Sequence, residues 1–232
     1  GLARVQIINP MPETKQRGPL IIAVLTDLRA GISYIMDNAN LKMIMILSIT
    51  VALCLRSYQN LMAGFAEEVF QLDEQGLGNL LAASGIGALL AALIFAIRGR
   101  IQGLTRVYVY GAMLTATALM AFVSNTQVPL ALVSITFVGG LVVATDISAQ
   151  TLIQNMVLDE YRARVISINL AVSLGASAFG TLAIGWLGEL VGFQLALGAA
   201  AVTAIIIVAL KGRRLLSQSA EIEAEPANRN SK

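Results

Sequence analysis

Apolar residues fall in blocks of about twenty along this chain, and short polar segments separate the blocks. The pattern predicts helical spans over 41–64, 77–97, 106–123, 128–152, 164–186 and 193–210. About 20 residues is the length a helix rising 1.5 Å per residue needs to cross a hydrocarbon core of about 30 Å. The blocks are apolar on every face, whereas a soluble helical domain shows amphipathic stripes. The fold class read from this is an all-α integral membrane protein, with six transmembrane helices in one bundle over residues 40–210. Ahead of them Leu25, Leu28, Ile32, Ile35 and Met36 recur at helical spacing, with Asp27, Arg29 and Asp37 between. That predicts an amphipathic helix over 24–39 lying in the cytoplasmic interface. Residues 1–23, with Pro10, Pro12, Gly18 and Pro19, read as a cytoplasmic linker, and the polar stretch 211–232 as a disordered cytoplasmic tail.

Composition supports the membrane reading. The chain is 56% hydrophobic and 13% charged, against about 25% charged in soluble domains. Charge placement adds the orientation. None of the sixteen Lys and Arg residues falls in the loops around 67–75, 124–128 and 187–193. The alternate connections hold Arg98, Arg100 and Arg106, then Arg162 and Arg164, then Lys211, Arg213 and Arg214. Cytoplasmic loops collect basic residues, so both ends of the bundle are assigned to the cytoplasmic side of a plasma membrane. Positive charge gathered on one face reads as topology and headgroup contact, which makes the lipid bilayer the partner and gives no nucleic-acid footprint.

Cys54 is the single cysteine and histidine is absent, so the chain offers no internal disulfide, no His/Cys metal site and no cofactor motif. The loops leave no room for an extramembrane catalytic module, and the expectation is that this is not an enzyme. The chain starts Gly-Leu-Ala-Arg with no signal peptide ahead of the first span, which gives the expectation of a fragment of a longer protein.

The candidate chemistry is inside the spans. Arg56 opens a polar run with Ser57, Tyr58, Gln59 and Asn60 in the first. A charge at that depth costs at least roughly 2.5 to 3.5 kcal/mol, so Arg56 either faces a cavity or partner or snorkels to the outer headgroups. In the fourth span Asp146, Gln150 and Gln154 recur every four residues and share a helix face. Asp146 is the sole acidic residue inside a predicted span, a candidate for proton exchange, with a solvated or ion-paired residue of an inner vestibule as the plainer alternative. On these boundaries Arg56 and Asp146 lie about 15 Å apart in depth, which predicts no direct bridge. Ser173, Ser177, Thr181 and Gly185 form a small-residue stripe in the fifth span, and Gly78, Ala82, Gly85 and Gly87 do similar work in the second. Both read as close helix packing. Before the fifth span, Asp159 is placed to cap the helix, and Glu160, Arg162 and Arg164 complete a charged inner loop.

The run from Thr151 to Val165 (TLIQNMVLDEYRARV), the segment Gly175 to Gly192 ending GWLGELVG, and Asp27 to Tyr34 (DLRAGISY) carry a resemblance. Together they resemble the C-terminal half of a major facilitator superfamily transporter, in the bacterial branch that includes the enterobactin exporter and related drug-efflux proteins. Two departures stand out. Arg100 occupies the place of an Asp in the glycine-rich motif between the family's eighth and ninth helices, and Ala163 stands where the hallmark has Gly. The resemblance implies a twelve-helix transporter in a bacterial inner membrane, with the missing N-terminal six-helix half as partner. It also implies a small-molecule substrate bound at midplane, and proton-driven efflux (antiport) by alternating access. The first and fourth spans here would then match cavity-lining helices seven and ten. The candidates for substrate and coupling are Arg56, Gln59, Asn60, Asp146 and Gln150. A six-span oligomeric channel is the alternative reading.

Overall fold

The computed structural model describes residues 20–99 and 102–223, and these are helical with no strand among them. Helix α1 is Leu20–Asp37. The first span is one continuous helix, Ala39–Val69, in which α2 (Ala39–Val51) and α3 (Tyr58–Gly64) are joined by a π-helical turn at Ala52–Arg56. A second π-helical turn, Phe65–Val69, ends it. Then follow α4 (Glu74–Arg98), α5 (Leu104–Val123), α6 (Val128–Met156), α7 (Asp159–Val191), α8 (Phe193–Ser217) and the short α9 (Ser219–Ile222). Among the described residues six helices are long and apolar enough to cross a membrane.

Local chemistry explains the boundaries. Asn38 caps α2 by accepting from the Leu41 amide at 3.1 Å, and Asp73 caps α4 by accepting from Gly76 at 2.9 Å. Pro129 occupies the first turn of α6, where its missing N–H costs nothing. Gly192, at φ 93, supplies the left-handed break between α7 and α8. The expected Asp159 cap is not what begins α7. Leu158 holds the cap position, and Asp159 lies in the first turn, where it still faces the positive end of the helix dipole.

Helix α6 packs along α4 and α5, while α8 packs along α5 and α7. Of the second span's small residues, Gly78 and Gly85 face open space, but Gly87 lies against the Thr136 backbone and Gly139 against that of Ser84. Any Cβ there would hold α4 and α6 apart, so these two positions permit the approach. Phe65, Phe70, Phe122 and Phe193 gather at the opposite end, with ring centroids 5.3 Å apart for Phe65–Phe122 and 6.0 Å for Phe65–Phe193. Phe193 is thus packed inward, whereas Trp186 is 63% exposed, as an interfacial anchor would be. Tyr108, near the start of α5, is 1% exposed and packs inside the bundle.

Helix α1 lies against α7. Tyr34 stacks on Tyr161 at 4.6 Å and 12°, and Asp27 pairs with Arg164 at 2.8 Å. Ile35 is buried against the bundle, while Leu28, Ile32 and Met36 stay exposed. The helix begins at Leu20, inside the stretch read as linker; the rest of that linker, residues 1–19, lies outside the described residues, as do Arg100 and the tail beyond 223. The expected disorder over 211–232 does not hold for its first part. Helix α8 continues to Ser217 because Gly212 lies against Val109 and Leu215 is fully buried, and Ile222 of α9 is buried as well.

Candidate functional site

Arg56 and Asp146 meet. Nη1 of Arg56 lies 3.2 Å from Oδ2 of Asp146, with both side chains 37% exposed. The expected separation of about 15 Å is therefore wrong, for two physical reasons. Helix α6 runs on to Met156, so Asp146 lies ten residues, or about 15 Å, inside its end rather than six residues. The first span and α6 are also antiparallel, and every Cα–Cβ bond leans toward its own helix N-terminus. Arg56 therefore leans toward the Ala39 end of the first span and Asp146 toward the Val128 end of α6, so the side chains close the gap from both sides. Snorkelling of Arg56 to the outer headgroups is replaced by this pairing.

The pair lines a cavity of about 360 Å³ between the first span, α6 and α7. Ser48, Gln150, Asn169 and Ser173 supply its other polar atoms, and Val143, Ile147, Ile166 and Leu170 its apolar wall. One ion-pair contact leaves the other N–H groups of the Arg56 guanidinium available to a guest. Asn169 is the residue the sequence reading missed. It lies ten residues after Asp159 as Asp146 lies ten before Met156, so the short 157–158 connection sets the two at one depth. An amide between Ile168 and Leu170 in an apolar block was the available signal.

The remaining candidates fall elsewhere. Gln59 and Asn60 are exposed and are not among the residues lining the cavity. Asn60 donates through Nδ2 to Thr181 Oγ1 at 3.1 Å, which ties α3 to α7. Ser57 donates through Oγ to the Leu53 carbonyl at 2.8 Å and to the Ser177 carbonyl at 3.2 Å. The small stripe of α7 is therefore mostly a packing seam, with Ser173 alone reaching the cavity. Buried Tyr108 donates to the Ile44 carbonyl at 3.2 Å and shares a hydrogen bond with Ser48 at 3.0 Å, behind the cavity wall. In the charged inner loop, Asp159 pairs with Arg162 at 2.5 Å and Arg164 with Asp27, while Glu160 is exposed. The Arg164–Asp27 pair ties α1 to the start of α7, the Asp159–Arg162 pair lies within α7, and none of the four residues Asp159, Glu160, Arg162 and Arg164 lines the cavity.

The sequence profile of the Major Facilitator Superfamily matches residues 44–229. No curated protein and no solved structure matches the chain. The matched stretch takes in the Arg56–Asp146 pair, its cavity and nearly all of the six membrane helices. With a bilayer around the helices and a small molecule as cargo, this multi-pass membrane chain belongs to the Major Facilitator Superfamily of transporters, and its bundle is a half of that fold.

Proposed function

We propose that the chain is the C-terminal half of a proton-driven exporter of small amphipathic molecules in a bacterial inner membrane. It works by alternating access with an N-terminal six-helix half of the same transporter, and both ends of the chain are cytoplasmic. The observation that carries this reading is the single-contact Arg56–Asp146 pair on the wall of an otherwise mostly apolar cavity. Ionisable groups are retained inside a membrane where they move ions or bind cargo.

The chemistry follows from the pair. A charged Asp146 is held by Arg56 or by a donor group of the cargo. A proton on Asp146 removes the attraction and releases either one. Proton and cargo thus alternate at one carboxylate, the competition that exchange in opposite directions requires. The apolar wall takes the body of an amphipathic molecule, while Arg56, Gln150 and Asn169 take its polar head. Gln59 and Asn60 are assigned to the α3–α7 seam rather than to cargo. The basic residues of the inner connections support the orientation.

Asp146→Asn in the full-length transporter tests the coupling. In energised membrane vesicles the substitution is expected to lower proton-driven efflux at least tenfold, while cargo exchange without a proton gradient persists. Unchanged proton-driven efflux at every pH would remove Asp146 from the mechanism.

A further inference from the structure

The segment after α8 does not trail away from the bundle. It turns back beneath it, and the Glu223 carboxylate accepts from the backbone N–H of Gly103 at 2.6 Å and of Thr105 at 2.9 Å. These are first-turn amides at the start of α5, where the helix has no internal acceptors and its dipole favours a negative charge. Gly103, at φ 81, holds the turn that presents them. One residue earlier Ile222 is fully buried, and its carbonyl accepts from Asn155 Nδ2 of α6 at 3.2 Å. A single short segment is therefore fastened to α5 by charge-assisted hydrogen bonds, to α6 by an amide and to the core by an apolar side chain.

Helix α6 lines the cavity, and α5 stands behind its wall. Asn155 stands on α6 five residues beyond Gln150 and nine beyond Asp146. Helix α5 carries Tyr108, whose hydroxyl holds Ser48 and the Ile44 carbonyl of α2, and Ser48 lines the cavity. We infer that residues 218–223 form a latch that holds the cytoplasmic ends of α5, α6 and α8 together and so restricts access to the cavity from that side. Release of Glu223 leaves two helix amides without their acceptor and withdraws Ile222 from the core, and the cytoplasmic ends then separate. The carboxylate comes from the tail, 118 residues from Thr105. The loop is thereby closed by a part of the chain that can detach without unfolding a membrane helix.

The cytoplasmic placement of the latch rests on the orientation proposed above, and the experiment separates the two claims. In the full-length transporter, Gln150→Cys reports access to the cavity from the cytoplasmic face of inverted vesicles with a membrane-impermeant maleimide. Truncation after Gln218 is expected to speed its labelling roughly tenfold, the order set by losing charge-assisted hydrogen bonds, and Glu223→Gln by less. Gln71→Cys, at the opposite end of the bundle, should label from outside intact cells at an unchanged rate. Wild-type rates at Gln150→Cys in both variants, or an equal rise at both reporters, would overturn the latch. Hydrogen exchange of the wild-type protein reads it without any variant: slow exchange at Gly103 and Thr105 supports the latch, and exchange as fast as in an open loop sinks it. Labelling of Gln150→Cys from the other side only would count against the orientation, and the exchange result would still decide the latch.

Discussion

A side chain added at Gly180 would run into the Leu53 carbonyl and the Ser57 hydroxyl, whereas one at Gly175 would meet nothing. Two glycines of one helix therefore do different jobs, and spacing alone does not separate them. Gly180→Leu is expected to cost about 1–3 kcal/mol by overpacking the seam between α7 and the first span, with Gly175→Leu close to neutral. Thermal unfolding of the purified protein checks this, and equal losses at the two positions would refute the seam. The same limit applies to the charged residues. That Arg56 and Asp146 are exceptional is plain from their types and from the apolar runs around them. That they touch depends on where α6 ends and which way each side chain leans, and neither is written in the local pattern. Asn169 was visible as a residue and not as a site, because only the fold sets it opposite Asp146.

At the scale of elements, all six spans are legible, since apolar runs of membrane length have one low-energy solution in lipid. Their ends are less so. Helix α8 extends past the last apolar run because Leu215 finds a buried place, which a window of hydropathy does not see. The π-helical turn at Ala52–Arg56 is invisible in a sequence of ordinary helix formers. It amounts to one residue more than the α register needs, and it lies where Gly180 approaches Leu53. Deletion of Leu53 is expected to restore the α register and rotate Arg56 away from Asp146. A double-mutant cycle on stability with Arg56→Ala and Asp146→Ala should then fall from a coupling of order 1 kcal/mol, modest because both groups are partly exposed, to near zero. An undiminished coupling would mean that the turn does not position Arg56.

For the whole molecule, α4 and α7 are the least covered of the membrane helices, with Leu89, Leu93 and Ile97 on one and Phe179, Leu182 and Trp186 on the other turned outward. Apolar faces of this size are stable in lipid or against further apolar helices, so they do not disturb the bundle. Topology is a property at this scale too. A cysteine at Gln71 should react with an impermeant thiol reagent from outside intact cells, and reaction only after the membrane is opened would reverse the orientation. The sequence by itself determined a six-span membrane bundle and which residues are chemically out of place. Those follow from the cost of moving polar groups into hydrocarbon, which each segment meets on its own. The tertiary structure alone decided that Arg56 meets Asp146, that Asn169 joins them, that Gln59 and Asn60 do not, and that Glu223 returns to α5. Each of these depends on how separate helices pack, and that is set by contacts between residues far apart in the chain.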